Sequence, residues 1–271
     1  MKITRRDYLK SLAVALVGSS TAATCGDEIA RKEQPKEDAL HLKILSYNIQ
    51  IGRAPGGSYS NPAEAFLDRT AEVIKNSAPD IAGLQEVDKN TERSGIDVDQ
   101  LGELSRLTDL YPTFSPKREL PGGLYGVGVL SKERPITVET VIMEGSAHPR
   151  ALQMLEFEKY YFFNTHLPLT APLRQKAVQT IDSEAAKRTD KPIILVGDLN
   201  AEPTSEEIQT LRKTWTQVSP EAPTFPAPEP TVQIDYVFVR NAAKIDVVKS
   251  EVVPDRSTSD HRPVFCELTI Q

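Results

Sequence analysis

The sequence repeats one device: a short apolar run that stops on a polar residue able to do chemistry. Its sharpest instance lies at residues 193–200. Ile193-Ile194-Leu195-Val196 reads as a fully buried strand, bounded by Pro192 and Gly197 and too short to span a membrane. Gly197 is expected to turn the chain, and Asp198 and Asn200 follow at alternate positions. Residues two apart on extended backbone point to the same side. Both should therefore face one spot at the carboxyl end of a buried strand, the edge of an α/β sheet where ligands bind. A carboxylate there can orient or deprotonate a water, and an amide can donate to a negative oxygen, which suits work on a phosphate. The same residues also fit an Asx turn ahead of Glu202-Pro203, and alone they do not separate the two readings.

Other runs end in the same way. Leu42 to Tyr47 stops at Asn48, Asp80 to Leu84 at Gln85-Glu86, and Tyr160 to Phe163 at Asn164-Thr165-His166. Ile234 to Val239 carries Asp235 inside an apolar run, and Ser259-Asp260-His261-Arg262-Pro263 precedes a last strand, Val264 to Ile270. A lone His or Asp at a strand end is ordinarily structural. Amide, Glu, His, Asp-x-Asn, Asp and Asp-His at one kind of location point instead to a shared site.

Together these stretches resemble the endonuclease/exonuclease/phosphatase superfamily, whose fold is that of pancreatic deoxyribonuclease. The resemblance rests on Ser46-Tyr47-Asn48, Leu84-Gln85-Glu86-Val87, Asn164-Thr165-His166-Leu167, Gly197-Asp198-Leu199-Asn200, Ile234-Asp235-Tyr236 and Ser259-Asp260-His261-Arg262-Pro263. They stand in family order from about Lys43 to the C-terminus. Glu92-Arg93-Ser94-Gly95 with Asp99-Gln100, and Pro223-Thr224-Phe225-Pro226, bring the chain nearest to the compact bacterial metal-dependent hydrolases. The resemblance implies an α/β fold: a four-layer α/β sandwich, two central mixed β-sheets flanked by helices. One departure concerns Tyr125-Gly126-Val127, where relatives often read Tyr-Gly-Asn. Val127 cannot donate a hydrogen bond, which puts one substrate or phosphate contact in question.

Chemistry and resemblance together suggest roles. Hydrolysing a phosphate ester needs an in-line water, a cation on the phosphoryl oxygens and donors for the developing charge. Glu86 is the expected ligand for Mg2+ or Mn2+, a hard oxygen donor, with Asn48 beside it. Asp198 would orient or deprotonate the water, and Asn200 would hold it or a phosphoryl oxygen. His166 and His261 would donate to the phosphate, Asp235 would fix the tautomer of His261, and Asp260 would touch a second metal or the water. His41 and His148 lack this context and are expected to be solvated. Arg150 reads as a surface arginine, although it could reach an anionic substrate.

Rival chemistries find no motif: there is no His-Glu-x-x-His helix, no Gly-x-Ser-x-Gly elbow and no Walker loop. The expected function is an exported, divalent-metal-dependent phosphoesterase, of the phosphodiesterase kind, acting on a small or lipid-linked phosphoester. The alternatives are a secreted nuclease of the same superfamily and an inactive module that binds a phosphorylated ligand. Charge weighs against nucleic acid. The net charge is −6 for 271 residues, and the first 24 residues contribute +3, leaving the remainder near −9. Nonspecific DNA binding draws most of its affinity from Lys and Arg contacts with phosphates.

Three segments are expected. Residues 1–24 read as an export signal, with a twin-arginine-like Thr4-Arg5-Arg6-Asp7-Tyr8-Leu9-Lys10, an apolar stretch from Leu12 to Val17 and small residues after it. Residues 25–40 read as a flexible tether and residues 41–271 as one monomeric catalytic domain. The protein is thus expected in the periplasm or outside the cell. Ala22-Ala23-Thr24-Cys25 is a loose lipobox, which leaves a lipid anchor at Cys25 open. Cys266 is the other cysteine, so no disulfide framework is expected, and it reads as a small core residue. Helices are expected after an Asn61-Pro62 cap, with Phe66, Thr70, Val73, Ile74 and Ser77 on one face, from Gln100 to about Thr108, and from near Pro172. Strands from Tyr125 to Ser131, Ile136 to Ile142 and Ala151 to Phe157 follow one another without helices, which requires antiparallel pairing.

Overall fold

The computed structural model describes residues 39–57, 66–145 and 147–271. The leader, nearly all of the tether and the Asn61-Pro62 cap lie outside the described residues. In chain order the elements are β1 (Leu40–Asn48), α1 (Leu67–Ser77), β2 (Ile81–Lys89), α2 (Gln100–Thr108), β3 (Tyr111–Leu120) and β4 (Gly123–Ser131). There follow β5 (Thr137–Met143), β6 (Arg150–Glu156), β7 (Tyr161–His166), α3 (Ala171–Ala186), β8 (Ile193–Asp198) and α4 (Glu206–Leu211). The last are β9 (Thr216–Gln217), β10 (Asp235–Arg240), β11 (Ile245–Val252) and β12 (Val264–Ile270).

Two mixed sheets form, in the orders β11-β12-β1-β2-β4-β3 and β5-β6-β7-β8-β10-β9. Each has one parallel pair at its centre, β1 with β2 and β7 with β8, and antiparallel neighbours outside it. The expected pairing of β5 with β6 is antiparallel, but β4 lies in the other sheet: the chain crosses the sandwich between Ser131 and Thr137.

Side-chain alternation makes the layers. Leu42 and Ile44 of β1, Phe162 of β7, Ile194 and Val196 of β8, Val237 and Val239 of β10, and Cys266 of β12 fill the gap between the sheets. The opposite parity faces outward. Leu45, Tyr47, Ala82 and Leu84 bury Leu67 and Ile74 of α1 with Leu101 and Leu104 of α2. Phe163, Leu195 and Phe238 cover Val178 and Ile181 of α3 and Ile208 of α4. Helix, sheet, sheet, helix is the result.

The helices follow their local signals. Asp99 caps α2 by accepting from Gly102 N at 3.0 Å, and Pro172 stands in the first turn of α3. In α1 the buried stripe is Leu67, Thr70, Ala71 and Ile74, while Phe66, expected on that face, precedes the helix and is 43% exposed. Gly197 does not turn the chain. It lies within β8, opposite Thr165 and Tyr236, and a Cβ there would fall 2.1 Å from Thr165 O. Its role is to let β7 come close.

Candidate active site

Strand direction and parity fix the location. β1, β2, β7 and β8 end at one edge of the sandwich, and β10 and β12, antiparallel to β8 and β1, begin there. Counting two residues at a time from the inter-sheet core puts Asn48, Asn164, His166, Asp198 and Asp235 on the inner faces at that edge. Glu86 has the wrong parity. A bulge between Leu84 and Val87, with Glu86 in left-handed backbone at φ 57°, turns it inward, and Asn48 Nδ2 reaches Glu86 Oε1 at 3.5 Å.

The predicted residues converge across the two sheets. Asn48 Nδ2 donates to Asp198 Oδ2 at 3.1 Å and lies 3.4 Å from His261 Nε2. Asp198 Oδ2 stands 3.4 Å from His166 Nε2 and 3.7 Å from His261 Nε2. His261 Nδ1 meets Asp235 Oδ2 at 2.9 Å, and Thr224 Oγ1 donates to the same oxygen at 2.6 Å. The loop before β12 is tied to β1: Ser259 Oγ donates to Asn48 O at 2.7 Å, and Asp260 N donates to Gln50 Oε1 at 3.2 Å. Phe225 covers the His261 ring with centroids 4.8 Å apart. Asn200 reaches the site by another route than strand alternation. It takes left-handed backbone, its N–H donates to Asp198 Oδ1 at 3.0 Å in the Asx manner, and its Nδ2 donates to Leu167 O at 3.0 Å.

Below the site an amide relay crosses the gap. Gln85 Nε2 donates to Asn164 Oδ1 at 2.8 Å, and Asn164 Nδ2 lies within reach of Leu84 O, Gly128 O and Gln153 Oε1. Gln153 Nε2 then donates to Thr113 O at 2.8 Å. Five strands from two sheets are joined by three buried side-chain amides.

Burial splits the protonation states. It holds the His166 imidazole well below the usual histidine range, helped by Lys117, Arg150 and His261, so His166 is neutral. Burial opposes charge on His261 as well, but Asp235 and then Asp198 outweigh it and carry it up to about 10. Asp198 is pushed up to about 7, by burial first and then by Asp235. Asp260 rises to about 6 through burial and Glu86. Unlike groups at close range with divided proton affinities make this cluster the candidate site.

Residues 45–261 match the model of the endonuclease/exonuclease/phosphatase family. The chain belongs to that family. Among solved structures it is similar to an endonuclease/exonuclease/phosphatase from Beutenbergia cavernae DSM 12333, with 24% identity over 85% of this chain and 72% of the other and a TM-score of 0.68. A mannosyl-6-phosphatase from Bacteroides thetaiotaomicron VPI-5482 matches at 18% identity over 84% of this chain and 99% of the other, TM-score 0.66. Truncated Caenorhabditis elegans TDP2 matches at 18% identity over 84% and 97%, TM-score 0.62. These likenesses establish the fold. No curated protein matches the chain in sequence.

Endonuclease/exonuclease/phosphatase family members are hydrolases acting on phosphoesters, typically with a divalent cation, and the residues here fit one. Glu86, Asp198, Asp235 and Asp260 gather around a single imidazolium, and burial, the main cause that raises Asp198 and Asp260, penalises carboxylate charge that a bound cation would stabilise. Asp198, Asp235 and His261 have ligand atoms within 4.8 Å of one another. His261 Nδ1 and Asp235 Oδ2 already satisfy each other, however, and Asp235 Oδ2 also accepts from Thr224. Glu86 and Asp260 are the hard donors better suited to hold Mg2+ or Mn2+; Asn48, expected beside Glu86 as a ligand, turns its Nδ2 to the site instead, while its Oδ1 accepts from Gln50 N at 3.0 Å.

Some neighbours of the site were not anticipated as such. Thr224 and Phe225 lie in a segment noted for its resemblance but not for its contact with Asp235 and His261. His41 and His148 are exposed, as expected, although His148 Nδ1 contacts Arg118. Arg150 is not a plain surface residue: it is half-buried, and its Nε is buried without a partner among the described residues. Lys117, absent from the sequence reading, is deeply buried beside it. Val127 is fully buried.

Proposed function

We propose that the chain is an exported, divalent-metal-dependent phosphoesterase that cleaves a small-molecule or lipid-linked phosphodiester. The observation that carries the reading is the setting of His261. Asp235 and Thr224 fix its Nδ1 side, and its Nε2 points to Asp198 and Asn48 where the polar ends of both sheets meet. In this reading Asp198, between the two imidazoles, holds the attacking water in line. His261 presents Nε2–H to the phosphoryl oxygen on which charge develops, and neutral His166 offers one further hydrogen bond. Asn200, pinned to Leu167 O, keeps Asp198 in place through its N–H and presents its remaining amide hydrogen to the phosphate. A cation on Glu86 and Asp260, beside Asn48, would supply charge neutralisation at the phosphoryl oxygens.

Charge supports a small or lipid substrate over DNA, since residues 25–271 carry about −9. The fold shared with a mannosyl-6-phosphatase supports the same preference. Arg5-Arg6 and the apolar stretch after them support export, with Cys25 as a candidate lipid anchor on an otherwise monomeric enzyme.

The test sets aryl phosphodiesters, phospholipids and plasmid DNA side by side on one preparation of the mature chain, with Mg2+ or Mn2+ and with chelator. The expected result is metal-dependent hydrolysis with kcat/KM clearly higher for the small or lipid ester than for duplex DNA. If DNA is better by an order of magnitude, and its cleavage falls steeply with added salt, the nuclease reading replaces this one.

A further inference from the structure

β4 is flanked by two bulges. Its register with β2 shifts between Leu84 and Val87, where Glu86 sits, and its register with β3 shifts between Pro116 and Arg118, where Lys117 is the extra residue. The first lies opposite Val127, between Gly128 and Gly126, and the second between Gly126 and Tyr125, so the two meet at Gly126. A Cβ on Gly126 would fall 2.1 Å from Ser115 O, so glycine permits this close approach of β3. Bulges re-aim side chains and concentrate beside active sites.

What lies inward at this bulge is an ammonium. Lys117 is 3% exposed, its Nζ lies 4.0 Å over the Tyr125 ring, and it has no hydrogen-bond partner among the described residues. Arg93 and Arg118 lie over the same ring. Arg93 is engaged by two bonds to Asp88. Besides the Tyr125 ring Arg118 meets His148, and Arg150 enters from the start of β6; the Nε atoms of both are buried and unpartnered among the described residues. Lys117 and Arg150 both lower the proton affinity of His166, which puts them within electrostatic reach of the catalytic groups. The Tyr125 face attracts a cation but accepts none of its three N–H bonds. A buried ammonium left so calls for a partner.

Strand order says where that partner would be. Across the edge, one sheet presents β12, β1, β2, β4 and β3, and the other β10, β8, β7 and β6. With strands about 4.8 Å apart, β3 lies roughly 10 Å along the sheet from β2. The Lys117 group is therefore displaced sideways from His261, Asp198 and Glu86. We propose that Lys117, Arg118 and Arg150 form a subsite for a second anionic group, phosphate or carboxylate, carried by the substrate beside the scissile phosphoester. This rests on the phosphoesterase reading and narrows it to small molecules with two anionic groups.

The test uses matched aryl phosphodiesters whose ring is unsubstituted, carboxylated or phosphorylated, the last two arms distinguishing the kinds of anion. The expected result is a gain of at least ~10-fold in kcat/KM from the second anion, the scale of one charge-assisted hydrogen bond. That gain should appear mainly in KM, collapse in Lys117→Met and Arg150→Met, and be partly kept in Lys117→Arg. A second readout is independent of turnover: calorimetric titration of inorganic phosphate into the metal-free protein, with binding weakened by Lys117→Met. No gain in the wild type, or the same gain in Lys117→Met, overturns the subsite. Lys117-dependent phosphate binding without turnover of any ester overturns the phosphoesterase reading and leaves the subsite standing.

Discussion

Replacing Lys117 by Met should stabilise the protein, by an amount that shrinks as pH rises. Burial first, and then Arg150 and Arg118, push the Lys117 ammonium from 10.5 down to about 7, against the opposing pull of Glu86 and Asp198. The unfolded chain then holds this proton more tightly than the folded one, so stability rises with pH between about 7 and 10.5. Below that window both states are protonated and the folded state bears the whole cost, roughly 5 kcal/mol at about 1.4 kcal/mol per tenfold. Methionine keeps an unbranched stem against Tyr125 and removes the charge. Urea unfolding of wild type and Lys117→Met at pH 6, 7, 8, 9 and 10, metal-free, reads the difference directly, and groups common to both proteins cancel. The variant should lead by ~3–5 kcal/mol at pH 6–7 and by ~1 kcal/mol near pH 10. Inorganic phosphate should narrow the lead by binding the wild type alone. A variant less stable than wild type at pH 7, or a lead that is flat with pH, refutes the argument that Lys117 is a buried cation held ready for an anion.

Other expectations concern the site, its support and the leader. His261→Ala or Asp198→Ala should lower turnover by at least ~10²-fold with the fold intact by circular dichroism; activity that survives both exchange and chelation would sink the catalytic assignment. Asn164→Leu removes one hydrogen-bond partner each from Gln85 Nε2, Gln153 Oε1 and the carbonyls of Leu84 and Gly128. It should cost ~2–4 kcal/mol in denaturant unfolding and depress kcat, and a neutral result in both would show the relay to be dispensable. Changing Arg5 and Arg6 to Lys should hold the precursor in the cytoplasm with activity retained in lysates, whereas normal export of that variant would show the leader to be misread.

The site was legible where simple strand parity governs it. Asn48, His166, Asp198 and Asp235 each stand an even number of residues from an apolar neighbour that fills the inter-sheet core, so the sequence pattern alone orients them. It failed where the backbone departs from that rule. Glu86 is placed by one bulge and Arg118 is brought opposite Tyr125 by another, and bulges leave no periodic trace. Asn200 arrives through left-handed backbone rather than through extended alternation. β3 escaped notice because Pro112 and Pro116 argue against a strand, and prolines are tolerated there because β3 is a sheet edge. A dibasic Lys117-Arg118 in such a segment reads as protection of an exposed edge, not as a buried cation beside a half-buried one. β11 was invisible for a related reason: it too is an edge, and its Val247 and Val248 are both exposed.

The amide relay beneath the site sets a constraint that apolar packing cannot. Half of the proposed site is mounted on one sheet, through Asn48 and Glu86, and half on the other, through His166, Asp198 and Asp235. Contact between two greasy faces is non-directional, and such faces can slip past each other at little cost. Gln85, Asn164 and Gln153 act instead like teeth in a rack, fixing which residue stands opposite which. Turnover should therefore behave as a caliper on the separation of the sheets. A substitution in the central core that leaves the melting temperature untouched but tilts one sheet by a fraction of an ångström would show itself first as lost activity.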